Sequence, residues 1–105
     1  EVWPRGELPP GYWNPVRSDT PVLLISGGLD PVTPPRWGEE AARHLPNSRH
    51  VVIPKGGHPF AGLFGCVDNF IAEFIAKGSV AGLDTACVEQ IRRPPFVLSL
   101  AQSAP

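Results

Sequence analysis

The chain of 105 residues contains no methionine, only two cysteines and no long apolar run. No apolar stretch approaches the roughly 20 residues that span a bilayer, so the sequence predicts no membrane span. No basic cluster exceeds Arg92-Arg93 and the formal net charge is −1, which gives no reason to expect a nucleic-acid partner. Because a fresh translation product starts with methionine, we expect the chain to be a fragment of a longer protein.

Several catalytic and cofactor motifs are missing as well. The sequence has no G-x-S-x-G nucleophile elbow, no G-x-G-x-x-G or P-loop pattern, and neither C-x-x-C nor H-E-x-x-H spacing. Ser26 comes nearest to an elbow, because Gly27 follows it at the end of an apolar run, but Leu24 stands where the elbow requires glycine. We therefore assign no nucleophile to this chain, and we expect no metal site and no cofactor.

The chain is rich in proline and glycine, with 14 and 11 residues respectively. An apolar content of 42% with 18% charged residues is typical of a globular protein, and the prolines and glycines predict short elements joined by turns. Residues 1–20 contain four prolines with Trp3, Tyr12 and Trp13 between them. This pattern predicts an extended connector whose aromatic side chains pack on the domain, because proline disfavours helix interiors and central strands.

Two apolar runs organise the sequence, and each is followed by a pair of glycines and then by a titratable residue. Residues 21–26 are continuously apolar up to a serine, which predicts a strand buried on both faces, and this strand leads to Asp30. Residues 51–53 predict a second strand, which leads to His58. Functional residues of an open parallel sheet lie at the carboxyl ends of its strands. We expect the carboxylate to hold one ring nitrogen while the other nitrogen serves as a base.

A helix is predicted between the two strands, which makes the strands parallel. Thr33 is the predicted N-cap and Pro34 the first helical residue. Trp37, Ala41 and Leu45 recur at intervals of four residues and form one apolar face.

The C-terminal part of the sequence predicts further helical structure. Residues 66–77 have the apolar spacing of a helix, and Gly78 follows at the position of a C-terminal cap. Asp84 is a candidate cap for a short helical turn around Cys87. Cys66 and Cys87 are compatible with one disulfide or with two buried thiols, while a zinc site is disfavoured by their spacing.

The other acids and histidines have ordinary local explanations. Asp68 falls on the polar face of the predicted C-terminal helix, and Asp84 is a candidate cap. His44 falls on an exposed helical face and His50 at the start of a strand, so both are interpreted as structural. Asp before Pro is also a common turn former, and this is the local alternative for Asp30.

Four stretches resemble the C-terminal segment of an α/β-hydrolase, and more narrowly that of the tripeptidyl-aminopeptidase-like and proline-iminopeptidase-like serine hydrolases. They are Pro21 to Pro34 (P-V-L-L-I-S-G-G-L-D-P-V-T-P), Leu45 to His50 (L-P-N-S-R-H), Gly56 to His58 (G-G-H) and Gly82 to Cys87 (G-L-D-T-A-C). The resemblance covers residues 3–97. The D-P-V-T-P and G-L-D-T-A-C stretches are its most specific parts. The chain departs from the family in lacking the G-x-S-x-G elbow.

The resemblance implies a fold, a domain organisation and a site. Residues 1–20 would return the chain from a missing upstream cap domain, 21–97 would form the C-terminal part of the α/β-hydrolase core, and 98–105 would be a tail. Asp30 would be the triad acid and His58 the general base toward an upstream serine. Family members are exported and pair cysteines here, so the resemblance favours a disulfide and a secreted location.

Two functional hypotheses follow. In the first, the chain is the acid- and histidine-bearing portion of a secreted serine hydrolase, which by resemblance releases single residues or short peptides from peptide amino termini or cleaves a related ester or amide. Its partners would be that substrate and the upstream part of the same protein. In the second, the chain is a non-catalytic module that completes a sheet or binds a partner. A G-x-S-x-G motif upstream of Glu1 would favour the first hypothesis.

Overall fold

The computed structural model describes residues 6–58, 65–93, 95, 96 and 98. The elements are β1 (Val22–Gly27), α1 (Pro35–Ala42), β2 (Ser48–Ile53), α2 (Cys66–Lys77) and a 3-10 helix (Ala86–Gln90). The predicted order of strand, helix, strand and C-terminal helix is therefore confirmed. The predicted tail 98–105 lies outside the described residues except for Leu98.

The two strands form a parallel pair, as predicted. Their register runs from Val22 opposite Ser48 to Gly27 opposite Ile53, so both strands end at the same edge of the sheet. β2 starts three residues before the predicted apolar run, because Ser48, Arg49 and His50 extend the pairing with β1. The loops that carry Asp30 and His58 thus leave the sheet side by side.

One face of the sheet carries the apolar core. Val51 and Ile53 of β2 pack against Val67 and Phe70 of α2 and against Val88 of the 3-10 helix. Ile53 and Phe70 are the largest fully buried side chains. Burying such side chains contributes roughly 1.5–3 kcal/mol each, so this cluster holds the C-terminal helices on β2.

The other face of the sheet is covered by α1, which approaches it closely at Gly38. A β-carbon at Gly38 would lie 2.5 Å from His50 Nε2 and 3.0 Å from Ser26 Oγ, so no larger residue fits without movement. The helices therefore cover both faces of the parallel pair, which is the layering of an α/β fold.

The prediction that β1 is a fully buried strand is wrong for its first four residues. Val22, Leu23, Leu24 and Ile25 are only half-buried, and burial is reached at Ser26 and Gly27. The reason is that β1 pairs with β2 alone in the described part of the chain, so no strand at its other edge helps to shield the side chains on either face.

The helix ends agree with the sequence in part. Thr33 is not the N-cap of α1: Pro34 occupies that position with extended backbone, and the Thr33 side chain turns to Asp30 instead. Gly78 ends α2 in the left-handed conformation with φ 61°, as predicted. The Asp84 carboxylate accepts a hydrogen bond of 2.9 Å from the Ala86 N–H, which places it at the start of the 3-10 helix as expected.

A disulfide joins Cys66 and Cys87 across Cα atoms 5.9 Å apart, so the predicted bridge is confirmed and the two-thiol alternative is wrong. Cys66 is the first residue of α2 and Cys87 lies in the 3-10 helix. The bridge fixes the start of α2 to the 3-10 helix on the core side of β2.

The proline-rich connector lies along α1. Trp13 and Val16 face Trp37, Ala41 and Leu45 across a surface hollow of about 330 Å³. Trp37 and Ala41 share one face of α1 as predicted, whereas Leu45 lies beyond Ala42, the last residue of α1, so the helix is shorter than predicted. The expected aromatic packing is incomplete, since Trp13 is 82% exposed.

Among the described residues no helix has the length and apolar character needed to cross a membrane.

Candidate active site

The carboxyl edge of the sheet brings the ends of the two strands into direct backbone contact. The Gly28 N–H donates a hydrogen bond of 2.8 Å to the Ile53 carbonyl, and the Leu29 N–H donates one of 2.9 Å to the Gly56 carbonyl. These bonds continue the parallel pairing beyond the strands. They hold the loop that carries Asp30 against the loop that carries His58.

Glycine is required for this approach. A β-carbon at Gly27 would lie 2.6 Å from the Gly57 carbonyl oxygen and 2.7 Å from that of Gly56, and one at Gly28 would lie 2.8 Å from the Pro54 carbonyl oxygen. These are backbone atoms that cannot rotate away. The glycine pair after β1 therefore allows the two loops to meet.

The two predicted residues meet at this edge. The Asp30 Oδ2 atom lies 2.9 Å from His58 Nδ1, although the residues are 28 positions apart. The Asp30 side chain is 2% exposed and that of His58 is 47% exposed. A buried carboxylate thus holds one nitrogen of an imidazole ring that is open to solvent.

The carboxylate of Asp30 is also tied to its own loop. Its Oδ1 accepts hydrogen bonds from the backbone N–H groups of Val32 (2.8 Å) and Thr33 (3.0 Å). Its Oδ2 accepts one from the Thr33 hydroxyl (2.6 Å), beside the contact with His58. Asp30 is therefore both the turn former of the local alternative and the partner of the histidine, through different oxygens.

These contacts determine the charge of Asp30. Burial by itself raises the pKa of a carboxyl group, but the hydrogen bonds from the Thr33 side chain and backbone, from His58 and from the Val32 N–H outweigh burial and hold the pKa of Asp30 well below its usual range. Asp30 is accordingly an anion at neutral pH, as a group that supports a histidine base must be.

The contacts of His58 leave its second ring nitrogen available. Asp30 is an ionised acceptor, so the proton between the two groups resides on Nδ1 and the Nε2 lone pair is free in the neutral ring. No side chain or backbone group among the described residues hydrogen-bonds Nε2. With the ring half-exposed at the edge of the sheet, Nε2 can accept a proton from an incoming group.

Sequence reasoning missed Thr33 as part of the site. Its hydroxyl lies 2.6 Å from Asp30 Oδ2 and 3.2 Å from His58 Nδ1, so it contacts both members of the pair. The S/T-P pattern before a helix was a signal for an N-cap. A better signal is the three-residue spacing from Asp30, at which the hydroxyl of a threonine can donate a hydrogen bond to a turn-forming carboxylate.

The remaining acids and histidines lie elsewhere. Asp68 is exposed and accepts a hydrogen bond of 3.4 Å from the Gly65 N–H at the start of α2. His44 lies 3.4 Å from Glu40, two residues after the end of α1, and its side chain is only 19% exposed, so the predicted exposed helical position is wrong. In the described part of the chain no group of three or more His, Cys, Asp or Glu side chains is arranged to hold a metal ion.

Ser26 and His50 form a separate contact, of 2.9 Å between Oγ and Nε2. Ser26 is 8% exposed and lies beneath Gly38 of α1. No carboxylate of the described residues hydrogen-bonds His50. The contact therefore belongs to the packing of α1 on the sheet, in agreement with the sequence interpretation of both residues.

A parallel strand pair that joins a carboxylate and an imidazole at its carboxyl edge, with helices on both faces, has the organisation of the C-terminal part of an α/β-hydrolase. Comparison with protein families agrees: the model of the TAP-like protein family matches residues 1–87. The chain belongs to this family of α/β-hydrolases.

Curated proteins provide further similarities. The chain is 58% identical over 43 residues to a pimeloyl-[acyl-carrier protein] methyl ester esterase of Neisseria meningitidis serogroup C, a match of 40% of this chain and 17% of that protein. It is 38% identical over 77 residues to the enzyme of the same name from serogroup A, covering 66% and 25% of the two chains. It is 44% identical over 55 residues to BpoC of Mycobacterium tuberculosis, described as a non-heme bromoperoxidase, covering 52% and 20%.

The matched region thus spans a quarter or less of the length of these relatives. No solved structure matches the chain.

Proposed function

We propose that Asp30 and His58 are the acid and the general base of a serine hydrolase, and that the serine nucleophile lies outside these 105 residues. The observation that carries the proposal is the 2.9 Å contact between a buried carboxylate and a half-exposed imidazole at the carboxyl edge of a parallel sheet. In a catalytic triad the base is a histidine held in this way by an anion, which supports the proposal.

The chemistry follows from the free Nε2 of His58. Nε2 removes the hydroxyl proton of the serine as its oxygen attacks the substrate carbonyl, and Asp30 stabilises the resulting imidazolium. His58 then returns the proton to the leaving amine or alcohol as the bond between that group and the carbonyl carbon breaks, which leaves the acyl group on the serine. In the second half-reaction Nε2 takes a proton from water, hydroxide adds to the acyl group, and serine leaves with that proton.

The proposed substrates are peptides with free amino termini, from which the protein releases single residues or short peptides. Membership of the TAP-like family supports this class. Small esters are the second candidate, because two of the similar proteins are named as methyl ester esterases. Both classes of substrate undergo the same acyl transfer, so the acid–histidine pair suits either class. The rest of the substrate pocket would determine which class is preferred.

A substrate panel tests the proposal in the intact protein. The panel comprises a tripeptidyl anilide, a single-residue prolyl anilide and a short methyl ester. We expect His58→Gln and Asp30→Asn each to lower kcat/KM for the preferred substrate by about a thousandfold or more. Asp68→Asn, which changes an exposed carboxylate away from the site, is the matched control. Full activity of His58→Gln, or no hydrolysis of any substrate by the unaltered protein, would contradict the proposal.

The proposed location is outside the cytoplasm. Members of the resembled family are exported, and the Cys66–Cys87 disulfide agrees with this, since such bonds persist in oxidising compartments. The proposed molecular partners are the substrate and the part of the same protein that carries the serine.

A further inference from the structure

The contacts of Thr33 define the protons around the Asp30–His58 pair. The Thr33 hydroxyl has one proton to donate and lies nearer to Asp30 Oδ2 (2.6 Å) than to His58 Nδ1 (3.2 Å). An ionised carboxylate only accepts, so the hydroxyl proton points to Oδ2. The Thr33 oxygen then has a lone pair left for a donor.

His58 Nδ1 is the donor that faces this lone pair. Both neighbours of Nδ1, Asp30 Oδ2 at 2.9 Å and Thr33 Oγ1 at 3.2 Å, are acceptors once the hydroxyl proton is committed to the carboxylate. A proton on Nδ1 can be shared by these two acceptors. If the proton were on Nε2 instead, the lone pair of Nδ1 would face the lone pairs of both acceptors, which is unfavourable. The local arrangement thus stabilises the Nδ1–H tautomer.

We infer that Thr33 is a positioning residue of the site: its hydroxyl joins Asp30 to His58 and, together with Asp30, keeps the proton of the neutral imidazole on Nδ1, leaving Nε2 as the base. This inference rests on the proposed function for its catalytic meaning. The same residue anchors Oδ1 of Asp30 through its backbone N–H at 3.0 Å, so side chain and main chain fix both oxygens of the carboxylate.

Two substitutions separate the hydroxyl from the rest of the side chain. Thr33→Val keeps the shape but removes the hydroxyl, and the Thr33 N–H to Asp30 is unaffected. Thr33→Ser keeps the hydroxyl and removes a methyl group. Thr20→Val makes the same chemical change at an exposed threonine whose hydroxyl contacts only Ser18 among the described residues, and it serves as the matched control.

The direct readout is the tautomer of His58. In the intact protein labelled with 15N-histidine, two-bond proton–nitrogen spectra at neutral pH distinguish Nδ1–H from Nε2–H rings. His58→Gln identifies the His58 signals. We expect an Nδ1–H ring in the unaltered protein, in Thr33→Ser and in Thr20→Val. We expect a larger fraction of the Nε2–H tautomer in Thr33→Val than in the unaltered protein, because Asp30 then holds the Nδ1 proton alone. An Nδ1–H spectrum of Thr33→Val indistinguishable from that of the unaltered protein would overturn the inference.

The second readout is the rate of labelling by a fluorophosphonate probe. Loss of the Thr33 contact with His58 Nδ1, counted as one neutral hydrogen bond, predicts a rate about tenfold lower in Thr33→Val, restored in Thr33→Ser. An undiminished rate in Thr33→Val would overturn the catalytic part of the inference. If the unaltered protein is not labelled at all, the proposed hydrolase function fails, while the tautomer spectra still decide whether Thr33 positions His58.

Discussion

Asp30 uses its two carboxylate oxygens for two different tasks. Oδ1 accepts the N–H groups of Val32 and Thr33 and closes the turn after β1, while Oδ2 contacts His58 and the Thr33 hydroxyl. The turn therefore presents the carboxylate to the histidine in a fixed orientation. The same four hydrogen bonds compensate the burial of the anion, which would otherwise be strongly unfavourable.

The depressed pKa of Asp30 predicts a stability that depends on pH in the acid range. A carboxyl group whose pKa is lowered by folding contributes its full stabilisation above its ordinary value of 3.8. That contribution is lost as the pH falls from about this value toward the lower pKa of the folded state, because the unfolded chain then binds more protons than the folded one. We expect Asp30→Asn to lack this dependence.

Urea denaturation of the intact protein between pH 7 and pH 2.5 measures the effect. The difference in unfolding free energy between the unaltered protein and Asp30→Asn should shrink as the pH falls below the ordinary value. Asp19→Asn, at an exposed carboxylate, should show no comparable change. A difference that is constant across the whole range would contradict the assigned pKa shift.

Among single residues, the sequence indicated the Asp30–His58 pair but not the Thr33 hydroxyl that contacts both. Asp30 and His58 were predictable because each follows a glycine pair at the end of an apolar run, and parallel strands bring such ends together. Thr33 was not, because a threonine before a proline and a helix satisfies the N-cap pattern equally well. Whether a hydroxyl accepts from the N–H groups of the helix or donates to a nearby carboxylate depends on the path of the turn, which the sequence pattern does not specify.

The ends of the strands position the site through backbone contact. Gly27 and Gly28 lie against the carbonyl groups of Pro54, Gly56 and Gly57, so the loops after β1 and β2 form one unit. The geometry of the acid–histidine pair consequently depends on residues that have no side chain.

We expect Gly27→Ala to destabilise the protein by about 1–3 kcal/mol, because its β-carbon would enter backbone carbonyl groups that cannot rotate away. Gly57→Ala is the matched control, since no described atom lies within 4 Å of its β-carbon position and its backbone needs no positive φ. Urea denaturation compares the two variants. Equal stability of Gly27→Ala and Gly57→Ala would contradict the close approach of the loops.

The disulfide predicts a separate effect on α2 and the 3-10 helix. Cys66 and Cys87 are 21 residues apart in the chain, and closing a loop of this length stabilises the folded state by roughly 3 kcal/mol in the chain-entropy description. We expect Cys66→Ser/Cys87→Ser to lower the unfolding free energy accordingly. Thermal melts of the unaltered protein with and without reductant provide the same comparison, and coincident melts would show that the bridge adds nothing.

The elements themselves were largely readable from the sequence. The apolar periodicity predicted a helix over residues 66–77, which are the observed bounds of α2, and Gly78 indicated its end. The extent of burial of β1 was not predictable, because a continuous apolar run indicates only that both faces of the strand can be covered. The burial of its side chains also depends on a neighbouring strand at the free edge of β1, and the described residues contain none.

The whole molecule presents more apolar surface than its small core accounts for. Trp13, Val16, Ile75 and Phe96 are at least 73% exposed. Together with the open edge of β1, they give the chain a surface that another part of a protein can cover. The domain boundaries at 20 and 97 remain predictions at this scale.

We expect the isolated 105-residue chain to be marginally stable or to aggregate, because a two-stranded sheet with an open edge has little independent stability. Far-ultraviolet circular dichroism with sedimentation analysis measures this. A monomer with a cooperative melt at moderate temperature would contradict the expectation.

The central claim is that Asp30 and His58 activate a serine outside this segment, and labelling of the intact protein by a fluorophosphonate tests it most directly. The protein would be isolated from its source, treated with the probe, and its intact mass and labelled peptide determined by mass spectrometry. The account predicts one probe group on a serine outside residues 1–105, and no labelling of the His58→Gln protein. An unlabelled protein, a label on a serine within this segment, or labelling that persists in His58→Gln would contradict it.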